Sequence, residues 1–183
     1  MKPSMQHTIY TIGHSTHPLG VFIKMLESFN IGLLADIRRF PGSRKYPQFN
    51  REPLAAALQQ AGIRYVHIED LGGRRKARPG SENSRWRNEA FRGYADYMET
   101  DAFKIAMDAL EVRALEQPTV YMCAEAVWWR CHRALVSDYL KAKGWTVLHI
   151  MGVGKAEEHP YTAPARIYDG RVFYADENLF DAK

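Results

Sequence analysis

The chain is poor in the features that would place it outside ordinary soluble enzymes and binding proteins. It has only 2 cysteines in 183 residues, too few for a disulfide framework. No apolar run approaches the roughly 20 residues needed to span a bilayer. The first residues, Met1 to His7, lack the apolar core of a secretion signal. There is no internal repeat, and neither a GxGxxG nor a GxxxxGK[ST] loop follows the first strand. The two cysteines lack the paired CxxC spacing of structural zinc sites. These absences leave a cytoplasmic protein with reduced thiols and no membrane partner as the expectation.

What is present is a basic middle. The formal charge is +4 overall, but 36–92 alone holds 13 Lys/Arg against 6 Asp/Glu. A local excess of this kind attracts an anionic small molecule or nucleic acid.

Patterning divides the chain into alternating strands and helices. Thr8–Ile12, Leu33–Ile37, Ile63–Ile68, Thr119–Cys123 and Thr146–Ile150 read as strands. Helices are expected from Pro18, where Val21, Phe22, Met25, Leu26 and Phe29 recur at helical spacing, and over 51–61, 88–99, 102–115 and 131–143. Leu71 to Arg87 reads as a long functional or mobile loop. Asp169-Gly170 between β-prone runs signals a hairpin. The expected fold is therefore α/β: a single-domain, mainly parallel five-stranded sheet with helices on both faces, plus a C-terminal β-hairpin extension. The domain is expected over 8–151, with 152–183 packed on it.

Ligands of such sheets bind beyond the carboxyl ends of the strands, so the polar groups there are the candidates. Gly13 and Ser15 can offer backbone N–H groups to an anion, and His14 is a candidate acid/base. Asp36 ends an apolar strand and needs a partner. Arg38 supplies one or holds a substrate anion, with Arg44 in the loop beyond. Tyr65 lies on the third strand, on the same expected face as His67. Cys123 is a candidate nucleophile or site-lining thiol beside Arg130, His132 and Arg133. Glu125, among apolar and aromatic neighbours, is a candidate general acid or base. Cys131, His132 and Arg133 open the following helix and are candidate substrate contacts, with Arg133 a second anion clamp. Trp128 and Trp129 are candidates for stacking or packing, and His159 for the site's rim. The Cys123–Arg130 spacing is one residue longer than in Cys-based phosphatases, and Glu125 would repel phosphate. The cofactor is left unknown, and no metal ligand is assigned.

Three function classes follow. The first is an enzyme, hydrolase or transferase, acting on a nucleotide or nucleic-acid-derived anion with Glu125 as acid/base. The second is a non-catalytic nucleic-acid or nucleotide-binding module using 36–92. The third is a Cys/His metal or thiol-redox site. Oligomeric state is left open.

In order, Tyr10-Thr-Ile-Gly13-His14-Ser15, Asp36-Ile-Arg38 with Pro41-Gly-Ser43-Arg44, Tyr65 through Leu71-Gly-Gly73, and Cys123-Ala-Glu125 with Cys131-His132-Arg133 resemble the bacterial domain-of-unknown-function family 488. The resemblance runs roughly from Ile9 to Met151. It implies a compact α/β domain and a prokaryotic cytoplasmic protein, and it supplies no reaction. The chain departs from the family at Ala126-Val-Trp-Trp-Arg130, where an acidic-proline pair is common.

Overall fold

The computed structural model describes residues 5–176. Five strands are parallel: β1 (Thr8–Gly13), β2 (Leu33–Asp36), β3 (Arg64–His67), β4 (Thr119–Cys123) and β5 (Thr146–Gly152). Their spatial order is β3-β2-β4-β1-β5, so β4 and β1 lie at the centre. β4 is buried along its whole length, as its continuous apolar sequence requires of a strand covered on both faces.

Both faces are covered by helices. α1 (Leu19–Glu27) and α2 (Arg51–Gln60) pack Phe22, Met25, Leu26, Leu54 and Leu58 on Ile12, Leu34, Val120 and Met122. α3 (Glu89–Met98), α4 (Asp101–Glu116) and α5 (Arg133–Ala142) pack Tyr94, Phe103, Met107, Leu110 and Leu135 on Ile9, Leu33, Ala35 and Tyr121. Period-two alternation along β1, β2 and β4 thus divides the apolar side chains between two cores. The Asn88 side chain caps α3 through Ala90 N–H and Phe91 N–H, and Thr100 caps α4 through Phe103 N–H.

A sixth strand, β6 (Lys155–Glu158), pairs antiparallel with β5 and extends the sheet beyond the expected five. Its sequence, Lys-Ala-Glu-Glu, has poor β-propensity and no apolar alternation. Charged side chains instead protect a sheet edge from pairing with other chains. β7 (Arg166–Tyr168) and β8 (Arg171–Phe173) form the expected hairpin. Asp169 and Gly170 both have positive φ, 49° and 71°, as the tight turn between twisted strands demands. Among the described residues, no helix is long and apolar enough to cross a membrane.

The 71–87 stretch is largely irregular but tied down. Asp96 accepts hydrogen bonds from Arg78 N–H, the Ser81 hydroxyl and Asn83 Nδ2, at 2.9, 2.5 and 2.7 Å. Arg75 lies over the Tyr97 ring, 3.7 Å from its centre.

Candidate functional site

Because β1 and β4 are neighbours in parallel, their carboxyl ends emerge side by side, and the pairing continues past the sheet. His14 N–H donates to the Cys123 carbonyl at 3.0 Å and Ser15 N–H to the Ala124 carbonyl at 2.9 Å. The His14 and Ser15 amides therefore dock the 123–126 loop, so the Ser15 N–H expected to face an anion is spent on the fold. Gly13 is glycine because the Glu125 carbonyl sits on its α-carbon; an added Cβ would lie 1.7 Å from that oxygen. Gly13→Ala is accordingly expected to lower stability by about 1–3 kcal/mol through overpacking. Gly20→Ala, with nothing within 4 Å, is expected to leave it unchanged or raise it slightly. Urea unfolding of both variants checks the contrast.

Arg133 lies beneath this loop and is 1% exposed. Its Nε donates to Cys123 Sγ at 3.0 Å, Nη1 to Thr11 Oγ1 at 2.9 Å and Nη2 to the Glu125 carbonyl at 2.8 Å. The expected anion clamp is thus a buried organiser of the loop. From Thr11 a hydrogen-bonded relay runs through the interior. The Thr11 hydroxyl donates to His149 Nδ1 (2.7 Å), His149 Nε2 to His159 Nδ1 (2.8 Å), and His159 Nε2 to Asp138 Oδ1 (2.8 Å). The Asp138 carboxylate only accepts, which for neutral rings sets the direction of donation along both histidines and leaves the Thr11 hydroxyl, itself accepting from Arg133, to donate to His149. Burial, reinforced by His159 and Arg133, lowers the His149 pKa to about 2. Trp128 stacks on His149 with ring centres 4.8 Å apart. His159 is fully buried in this relay and does not line the cavity, contrary to the rim position expected of it.

A second network lies at the end of β2. Asp36 Oδ1 and Oδ2 accept from Arg38 Nε (2.9 Å) and Nη2 (2.7 Å), and the Tyr65 hydroxyl donates to Oδ2 at 2.6 Å. Arg38 Nη2 also reaches the Phe49 carbonyl (2.7 Å), and Nη1 donates to His14 Nε2 at 3.3 Å. All but one of the guanidinium N–H donors are then used within the protein. His14 Nδ1 donates to its neighbour's carbonyl at Ser15 (2.9 Å) while its ring stacks on Phe49. Burial, with the Arg38 charge adding, lowers the His14 pKa to about 4, so the ring is neutral near pH 7 and both nitrogens are engaged. Burial and the Asp36 carboxylate push the Tyr65 phenol up, keeping it a donor. His67 Nε2 is satisfied by the Arg38 carbonyl at 2.7 Å.

The cysteines meet where β4 ends and α5 begins, with their sulfurs 2.6 Å apart and both thiols free. His132 Nε2 donates to the Ile37 carbonyl at 2.9 Å, which leaves Nδ1 as an acceptor 3.4 Å from Cys131 Sγ. Burial pushes the Cys123 thiol up, and the adjoining Cys131 sulfur adds to this. At Cys131 burial acts the same way but is outweighed by the Cys123 hydrogen bond and the Arg133 charge, so that thiol is shifted down. Burial holds His132 below the usual histidine range.

A cavity of about 550 Å³ opens above these networks. His14, Ser15, Arg38, Cys123, Glu125, Cys131 and His132 line it, together with Arg39, Phe40, Arg74, Tyr94 and Arg130. Gly13, Asp36, Tyr65 and Arg133 stand behind that lining, and Arg44 is exposed on the neighbouring loop. Glu125 is the one carboxylate among the lining side chains, against four arginines, and it is exposed. Phe40 is 61% exposed and has the Arg39 and Arg74 guanidiniums each 5.8 Å from its ring centre. Sequence reasoning placed Arg39 among the strand-end groups expected to converge but gave no role to Phe40 or Arg74. The Gly-Gly-Arg-Arg run after β3, bringing arginines to a strand end, was the available signal. Among the described residues, no group of three or more His, Cys, Asp or Glu side chains is arranged to hold a metal ion.

A family model described as Domain of unknown function DUF488 matches residues 18–140, most of the chain. No curated protein and no solved structure matches it.

Proposed function

The chain belongs to the DUF488 family, and from that premise we propose that it is an enzyme binding a nucleotide or nucleic-acid-derived anion in the strand-end cavity. The observation that carries this is the lining: Arg38, Arg39, Arg74 and Arg130 face Glu125 alone, around an exposed aromatic ring. A volume of about 550 Å³ falls within the range of small-ligand pockets and suits a nucleotide. Arg39, Arg74 and Arg130 supply charge for phosphate, and Arg38, held rigid by Asp36, supplies its remaining N–H. Phe40 offers a face on which a base can stack. Glu125, solvated at the rim, is the group available to move a proton, as general acid or base in a hydrolase or transferase reaction.

A module that reads nucleic acid along 36–92 has less support. Arg75, Arg78, Arg85 and Arg92 are occupied by Tyr97, Glu99, the Pro164 carbonyl and the Trp86 carbonyl. The basic segment thus spends much of its charge on its own fold.

A panel of nucleosides, nucleotides and modified bases, assayed for binding and turnover, tests the proposal. Arg74→Ala is expected to weaken binding of the phosphorylated members about tenfold, the loss of one charge-assisted contact, and to leave uncharged nucleosides unaffected. Glu125→Gln is expected to keep binding and lose turnover. Equal turnover in that variant removes Glu125 from the chemistry, and equal affinity in Arg74→Ala removes the anion from the cavity.

A further inference from the structure

The cysteine pair has a construction that anion binding does not require. The two sulfurs are 2.6 Å apart at the floor of the cavity, both buried by the fold yet both part of the lining. Cys131 immediately precedes the N-terminal turn of α5, and Arg133 N–H lies 3.5 Å from its sulfur. The lone pair of His132 Nδ1 lies on its other side at 3.4 Å, its orientation set by the Ile37 carbonyl. Cys123 is held by Arg133 Nε at 3.0 Å. A nucleophile, a base, a third group that orients the base, and a second thiol within reach are therefore together in one place.

We propose that Cys131 and Cys123 form a dithiol site that reduces small hydroperoxides, Cys131 attacking and Cys123 resolving. Cys131 gives its proton to His132 Nδ1, and the thiolate attacks one peroxide oxygen. A sulfur–oxygen bond forms and the O–O bond breaks. The electron pair leaves on the distal oxygen, which takes the His132 proton and departs as water or an alcohol. Cys131 is then a sulfenic acid. Cys123 sulfur attacks Cys131 sulfur, an S–S bond forms and the S–O bond breaks. The departing hydroxide takes the Cys123 proton and leaves as water. In sum two thiols lose two electrons, the peroxide gains them, and a Cys123–Cys131 disulfide results. The net positive surroundings, Arg133 above all, stabilise the anion at each stage. Cys131 is the attacking residue because the base and the helix start adjoin it, while Cys123 sits deeper on the strand.

The experiment adds hydrogen peroxide to the reduced full-length protein with no nucleotide present, so its outcome is independent of the anion-binding proposal. Trypsin cuts after Arg113, Arg130 and Arg133, which places the cysteines in separate peptides, Ala114–Arg130 and Cys131–Arg133. The expected product is the cross-linked pair, lighter by about 2 Da than the two reduced peptides and separated again by dithiothreitol. Cys123→Ser is expected to leave a Cys131 sulfenic acid that dimedone captures, whereas Cys131→Ser leaves Cys123 unlabelled. Two results overturn the proposal: no cross-link and no loss of free thiol in the native protein, or dimedone capture at Cys123 in Cys131→Ser with none at Cys131 in Cys123→Ser. Circular dichroism of each serine variant establishes that it is folded before labelling. The wild-type cross-link does not depend on either variant.

Discussion

Arg133→Met is expected to destabilise the protein by about 3–5 kcal/mol, the summed loss of charge-assisted hydrogen bonds to three buried or half-buried acceptors. Arg133 serves three structures at once. It holds Cys123 on β4, the Glu125 carbonyl in the loop, and Thr11 on β1. Methionine fills much of the volume but donates nothing. The Glu125 carbonyl loses its 2.8 Å guanidinium donor, and the Thr11–His149–His159 relay loses the donor that polarises it toward Asp138. Thr11→Val, which removes one acceptor from Arg133 and the donor to His149, is expected to cost less, on the order of 1–3 kcal/mol for the Arg133 Nη1 donor and the His149 Nδ1 acceptor left unpaired. Urea unfolding provides the comparison, with the midpoint shifted and the slope retained. A wild-type midpoint in Arg133→Met would mean the guanidinium does not organise the loop.

Acid is expected to have the second large effect. His14 and His149 have folded pKa values of about 4 and about 2, both below the ordinary 6.5. The unfolded chain therefore takes up protons first as pH falls. Stability from these two residues is fully present above about pH 6.5 and is lost as pH drops from there toward the folded values. From pH 7 to pH 5 each contributes a loss of about 2 kcal/mol, roughly 4 kcal/mol together. Urea midpoints at the two pH values measure the loss, and His14→Asn and His149→Asn are each expected to flatten the dependence. NMR gives a direct check: the His14 ring is expected not to titrate between pH 8 and pH 5. A midpoint near 6.5 for that ring would contradict the contacts assigned to both of its nitrogens.

The strands with apolar or β-branched sequences were legible, and so were the turns with one permissible chemistry. Thr119–Cys123 is a strand from end to end, and Asp169-Gly170 turns the hairpin. β6 was not legible, because an edge strand that avoids aggregation looks in sequence like a polar loop. Strand-end reasoning brought Ser15, Arg38, Cys123 and Glu125 to one cavity. It could not rank their roles, because a side chain's role depends on which of its donors are already spent. Arg133 and Arg39 are the same residue type beside the same cavity. One is buried with its donors given to a sulfur, a hydroxyl and a carbonyl; the other lines the open cavity beside Phe40. Likewise His149 and His159 are ten residues apart in sequence, and only the pairing of β5 with β6 and the packing of α5 make them a relay to Asp138.

The central claim, that the strand-end cavity receives a nucleotide-type anion, is tested most directly by NMR titration of the labelled full chain with a nucleoside monophosphate series at rising salt. The account predicts amide and side-chain shifts concentrated at His14–Thr16, Arg38–Ser43, Gly73–Arg74 and Cys123–His132, with affinity falling as salt increases. Shifts scattered over other surfaces, or none at any nucleotide concentration, would contradict it.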